Sequence, residues 1–290
     1  MILNKRHLAI FSFTLIQSFS LFGQDIGNSP YSRYGIGDIL YSGNIRNVGI
    51  AGAGLGSPDF RFINYINPAG LTQNKVVSFE GGFMYQNKSI RSSAQSQRTN
   101  GSTPSYGVFA FPITKKWTSS VGIKPQSIIS FERSYSTQVN GDTAISLAVN
   151  EKGKGGYNRI FIGNGVQVSK NLSLGAELNY NFGRREVQSA FGLGSISGTS
   201  QNVLFRRENL RGFGYKLGAF YKNTLDSAGK LALGMGATFS SPVNYHSDIF
   251  LSRQFQQNSI IFTQDTFDIF DGSVKTPMEF ALGFWLKKSH

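Results

Sequence analysis

The sequence predicts an all-β protein, a transmembrane antiparallel β-barrel with an N-terminal plug in its lumen, and three observations lead there. Several segments alternate large apolar residues with small or polar ones at the period of two that a strand imposes. After the first 24 residues no stretch approaches the roughly 20 apolar residues of a spanning helix. A membrane location therefore demands a sheet in which every backbone group is paired. Finally, the stretch from Asn28 to Leu71 is punctuated by glycine and proline and has too little apolar alternation to form a core of its own. It must borrow its burial from the strands that follow.

Residues 1–24 read as a signal peptide. Lys5, Arg6 and His7 make a basic start, and Leu8 to Phe22 is an apolar run interrupted by Ser, Thr and Gln, too short for a comfortable span. The mature chain thus leaves the cytoplasm. With no cysteine in the sequence a disulfide scaffold is excluded, so stability has to come from strand pairing and burial. The 34 glycines, 25 phenylalanines and 12 tyrosines suit a barrel. Residues 25–75 form the expected plug and residues 76–290 the expected barrel, in about eight long strands.

The clearest strand runs from Asn171 to Phe182. Leu172, Leu174, Ala176, Leu178, Tyr180 and Phe182 share one face; Ser173, Gly175, Glu177, Asn179 and Asn181 share the other. Leu231 to Ser240 and Met278 to Leu286 repeat the pattern. A face of glycine, serine and asparagine suits a crowded lumen, whereas a secreted soluble sandwich, the alternative, would place its large residues inward. Strands are expected to start near Val76, Pro104, Trp117, Ala144, Leu172, Asn202, Leu231 and Ser259. Short turns at 114–116, 169–171 and 223–230 face the periplasm, and long excursions at 87–103, 134–143, 190–201 and 254–259 face outward. Tyr85, Trp117, Tyr180, Tyr221 and Trp285 are placed for aromatic girdles.

The plug reads Asn28-Ser29-Pro30-Tyr31-Ser32-Arg33-Tyr34-Gly35-Ile36-Gly37-Asp38, then a glycine cluster from Gly49 to Gly56, then Asn67-Pro68-Ala69 before the first strand. In these residues the chain resembles the FadL-like family of outer-membrane transport barrels, in its Bacteroidetes branch. That resemblance implies plug-gated passive uptake of small hydrophobic compounds such as fatty acids. It makes Tyr31, Arg33 and Arg61 candidates for gating or ligand contact. A plug charge such as Arg33 needs a partner, supplied either by an amphiphile's carboxylate or by a lumenal one such as Glu80 or Glu177. Two other readings stand beside transport: an accessory or shuttle barrel of the type IX secretion and gliding machinery, and a structural surface barrel.

No catalytic or metal-binding constellation rises from the sequence, and the chain does not read as an enzyme. His246 and His290 stand alone, without cysteine or paired carboxylates at ligand spacing, and His246 reads as a polar loop residue. The glycine cluster lacks the strand and helix of a dinucleotide loop, so no cofactor is expected. The formal charge of +13 falls to +11 once Lys5 and Arg6 leave with the signal peptide. Its basic residues are scattered, which excludes a nucleic-acid stripe. The expected partners are outer-membrane lipid and lipopolysaccharide, a small hydrophobic ligand, and in the second reading secretion-system components. Arg206, Arg207, Glu208 and Arg211 read as a solvated strand end, with pore lining or anion binding as the alternative.

Eight strands would close only a narrow barrel, filled by its own side chains. A plug of this size does not fit one, and Lys287-Lys288-Ser289 repeats the chemistry of the short turns that lead into new strands. Further strands are therefore expected after His290.

Overall fold

The computed structural model describes residues 27–288, apart from 42, 59, 92, 94–95, 140–141, 194–200, 227–230 and 258–259. The expected signal peptide and the final two residues lie outside the described residues. The fold is all-β, as the alternation predicts. Residues 27–74 carry only short elements: a 3-10 turn at Pro30–Arg33, the two-residue β1 (Asp38–Ile39), the one-turn α1 (Ile45–Gly49) and a second 3-10 turn at Pro68–Gln73. Proline opens both 3-10 turns, where its missing N–H costs nothing. Asn44 caps α1 in a reciprocal capping box with Asn47.

Ten strands follow: β2 (Ser78–Arg91), β3 (Ser96–Thr114), β4 (Trp117–Val139), β5 (Asp142–Gln167), β6 (Leu172–Leu193), β7 (Gln201–Thr224), β8 (Leu231–Ser240), β9 (Asn244–Gln257), β10 (Ile260–Lys275) and β11 (Glu279–Lys288). All pair antiparallel in one sheet. From β2 to β7 each strand pairs with the next in sequence. Beyond that, β7 serves two partners, β9 along its first half and β8 along its second, while β10 pairs with β9 and β11 with β8.

This arrangement explains why eight expected strands became ten. β8 and β9 follow one line along β7, interrupted at Ser241-Pro242-Val243; β10 and β11 follow the next line, interrupted beside it at Thr276-Pro277-Met278. A proline donates no ladder bond and breaks a strand. Side chains and backbone bridge the gap: Ser241 N donates to Tyr215 O (2.9 Å), Tyr215 N to Ser241 Oγ (3.0 Å), Thr276 N to Val243 O (3.0 Å) and Val243 N to Thr276 Oγ1 (3.1 Å).

The long outward excursions are shorter than expected. Pairing of β2 with β3 continues to Arg91 opposite Ser96, so 87–103 is hairpin and not loop, and β4 and β5 pair almost to their turn. These stretches are polar on both faces, so apolar alternation does not reveal them, yet their backbones still complete the ladder. Part of the expected 190–201 excursion lies outside the described residues.

The two faces divide as the alternation indicates. Val121, Ile123, Ile162, Leu178, Phe213 and Leu217 are exposed on the outer face. The inner face carries the buried residues and receives residues 27–74. Tyr85, Trp117, Tyr180 and Tyr221 lie on the outer face, but Trp285 does not. It shares its side of β11 with Gly283, against which Leu55 packs. The curled sheet is not a closed barrel among the described residues: no pairing joins β2 to β10 or β11.

Leu178 is 71% exposed midway along the apolar part of β6. Leu178→Arg is expected to destabilise the protein by about 2–4 kcal/mol in a bilayer, the cost of a cation near the midplane. Leu178→Ala should cost far less, and urea unfolding in liposomes measures both.

Candidate functional site on the inner face

Three glycines stand side by side across the inner face, since Gly165 pairs with Gly175 and Gly175 with Gly218. With no side chains there, a backbone can lie directly on the sheet. Pro68 and Ala69 do so: a Cβ on Gly175 would collide with their backbone, one on Gly165 with Pro68 O, and one on Gly218 with the Asn67 side chain. Asn67 is fully buried and completely used. Its Nδ2 donates to Leu55 O and Ala219 O, both at 3.1 Å, and its Oδ1 accepts from Ala69 N at 3.1 Å. Thr72 Oγ1 contacts Ser173 Oγ at 2.9 Å. A second glycine floor, Gly234, Gly236 and Gly283 on β8 and β11, receives Leu55 and Gly56.

Around this seat Ile63, Tyr65, Ile66 and Leu71 pack with Tyr106, Val108, Ala110 and Phe161 of the sheet. The Ile63 amide donates to the Glu80 carboxylate on β2. Burial, with Tyr106 and Glu80 nearby, pushes the Tyr65 phenol well above its ordinary range, so it stays neutral. Lys124 Nζ lies 5.7 Å from the Tyr65 ring. The polar residues of β6 form a ladder on this face: Arg159 Nε donates to Asn181 Oδ1 (2.8 Å), Asn181 Nδ2 to Asn179 Oδ1 (2.9 Å), and Asn179 Nδ2 to Glu177 Oε1 (3.3 Å). Glu177, Lys124 and Lys216 are all buried.

The first motif anchors at the other end of the sheet, where the strands run into the long hairpins. Ser29 N donates to Ser130 O at 2.8 Å, and the buried Ser32 hydroxyl donates to Ser29 O at 2.7 Å. Asn28 and Glu132 exchange two bonds, at 3.0 and 3.1 Å. Gly37 has φ +92°, and a Cβ there would meet Ile128 O and Ile129. Only glycine suits that turn, which delivers β1 onto β4 with Asp38 opposite Ile128. Asp38 also bridges to Lys88 on β2 at 3.4 Å.

The candidate residues have different surroundings. Arg33 is salt-bridged to Glu151 on β5 (3.2 Å), not to Glu80 or Glu177, and Arg133 reaches the same carboxylate at 2.7 Å. The Tyr31 side chain is 80% exposed, while its carbonyl accepts from Tyr34 N at 3.2 Å within the turn. Arg61 is exposed in the stretch leading to Ile63. Gly35 has φ +56°, and its carbonyl accepts from Arg185 Nη1 at 3.3 Å. Arg185 also donates to Arg33 O at 2.7 Å and faces Glu208 at 3.9 Å. Sequence reasoning passed over Glu151, Arg133 and Arg185. The signal available was their position on the inner side of their strands, where a charge needs a partner.

His246 requires a correction. It is a strand residue of β9, not a loop residue, with Asp248 two positions on along the same strand face (3.0 Å) and Asp271 brought near by cross-strand register (3.9 Å). Arg211 pairs with Asp248 at 3.4 Å, so these groups form an ion-pair network.

The family model for BamG matches residues 1–290. No curated protein and no solved structure matches the chain. The family match overturns the resemblance to FadL-like transport barrels. With it go plug-gated uptake of hydrophobic compounds and the secretion or gliding accessory reading. The physical reason lies in the motifs: Asn67-Pro68-Ala69 and Asn28 to Asp38 are packing devices that fix an N-terminal segment to an inner sheet face. They report that architecture, whatever the protein does. Because the family is one of the outer membrane and the chain is β-rich, the protein is placed in the outer membrane.

Two outcomes follow. Cysteines at Ser32 and Ser57, both buried, should resist bulky thiol reagents in the folded protein, and Gly175→Val should expose Ser57→Cys by unseating Pro68. Glu151→Gln should cost about 2 kcal/mol, the scale of a lost charge-assisted hydrogen bond, measured as a lower unfolding midpoint in urea.

Proposed function

Because the chain belongs to the BamG family, we propose that it acts in outer-membrane protein assembly, as a structural subunit partnered with the BAM machinery and without catalysis of its own. One observation carries this reading: residues 27–74 are tied to the inner face at both ends of the sheet, by the glycine seat of Asn67 to Ala69 and by the Arg33, Glu151 and Arg133 bridge. A segment held this way fills the sheet's concavity as a plug and leaves no element poised to open. What the chain offers instead is surface.

In this reading the apolar outer face meets lipid, and the sheet is the larger part of a transmembrane barrel. The backbone groups along the edges of β2, β10 and β11 that are unpaired among the described residues take strand partners in the membrane, since lipid offers them none. The plug leaves large apolar residues exposed along its length, among them Tyr31, Tyr34, Ile39, Ile45, Val48 and Phe60, and these are the surface it offers a partner.

Affinity-tagged chain extracted in mild detergent should bring down the central assembly barrel. Depletion should reduce the heat-modifiable, folded fraction of other outer-membrane barrels. Normal barrel assembly after depletion, with no co-purifying assembly component, would sink the proposal.

A further inference from the structure

On the outer face, beyond the apolar part of the strands, lies an open cleft of about 600 Å³ lined by Lys152, Lys154, Glu186, Phe205, Arg207 and Phe250, among others. Its charges do not balance. Glu186 receives three cations: Lys154 at 3.4 Å, Arg207 at 3.2 Å and Arg184 at 3.7 Å. All the ion pairs that these three cations make among the described residues converge on that single carboxylate. Its side chain is 29% exposed, while theirs are 75%, 55% and 58% exposed, so their remaining charge faces outward. Lys152 adds another cation, paired with the exposed Glu132 at 3.4 Å.

Position identifies what can neutralise them. The apolar stretch from Leu172 to Phe182 on β6 has the length of about 9–11 residues that a tilted strand needs to cross a bilayer. It ends in an aromatic group, Tyr180 with Phe182 and Phe213, at ring separations of 5.8 and 4.8 Å. Glu186 follows Phe182 by four residues, which along a tilted strand places the cationic cluster roughly 10 Å above the aromatic group. That is the depth of lipid head groups. Arginine and lysine together offer fork and point donors to a phosphate, and Phe205 and Phe250 beside them give an apolar wall.

We propose that this cleft binds the anionic phosphorylated head group of a membrane lipid in the leaflet facing the long hairpins, with Lys154 and Arg207 of its lining and Arg184, which borders it across Glu186, as its donors. The inference rests on the reading that the apolar outer face meets lipid. Glu186 then holds the three cations in place and also competes with the ligand, so removing its charge should strengthen binding while removing theirs should weaken it.

The test uses the full mature chain, purified in detergent and offered lipid A bearing its phosphates or the same lipid enzymatically dephosphorylated. Native mass spectrometry reads the retained lipid. Wild-type protein should retain the phosphorylated form at least tenfold better, K154Q/R184Q/R207Q should lose that preference, and E186Q should raise retention severalfold. Heat-modifiable migration checks that each variant is folded. If the triple variant is not compact, the opposite signs expected for R207Q and E186Q decide the question. Equal retention of both lipids, or an E186Q effect in the same direction as R207Q, overturns the proposal. So does inorganic phosphate displacing the lipid at equal molar concentration, since that would mean a free-anion site. Quenching of Trp117 by brominated acyl chains reports the lipid-facing surface separately: quenching without phosphate preference refutes the cleft alone, and its absence refutes the lipid-facing reading.

Discussion

Everything in this fold depends on backbone lying against backbone, where Pro68 and Ala69 rest on Gly165, Gly175 and Gly218. Any side chain at those three aligned positions would lift the segment off the sheet and deprive the Asn67 amide of its bond to Ala219 O. Close approach removes water from both surfaces, and polar backbone buried without partners would be costly. Asn67 resolves that problem with three bonds, one across the contact to Ala219 O and two within the segment, to Leu55 O and from Ala69 N. The apolar cluster around Tyr65 then packs at the depth this contact sets.

A second constraint works at the opposite end and uses charge. Glu151 sits on an inner strand position and is nearly buried, so it needs cations, and it has one from the sheet and one from the N-terminal segment. Arg185 repeats the logic in reverse, with a sheet cation donating to the segment's carbonyls at Arg33 and Gly35. Between these anchors, β1 adds two residues of true strand pairing to β4. The segment is therefore held by packing at one end, by ion pairs at the other and by ladder bonds between, three kinds of interaction that respond differently to salt and to mutation.

The sequence made the division of faces legible because a strand converts order into sidedness without further information. Leu172 to Phe182 separated correctly into an exposed apolar row and a buried polar one. The lines of chain were legible too, but not their breaks at Pro242 and Pro277, which become visible only when the two prolines prove to be neighbours across β9 and β10. Polar hairpin ends escaped notice because backbone pairing leaves no periodic trace in hydropathy. Cross-strand register is the information that sequence reading lacks most. It makes the glycine row from three separated residues, sets Arg133 opposite Glu151, and adds Asp271 of β10 to the acid beside His246.

The same gap explains why the motifs mislead about function. A gate must exchange its contacts at low cost, so its anchors should be few and weak. Here the conspicuous residues are the anchors: Asn28, Ser32, Gly37 and Asp38 at one end, Asn67 to Ala69 at the other. What remains free to meet other molecules is inconspicuous in sequence, namely the exposed tyrosines and aliphatic residues between the anchors and the cationic cleft outside. In a chain of this kind function is sought on the surfaces that the motifs leave uncovered, because the motif residues are already occupied in holding the fold together.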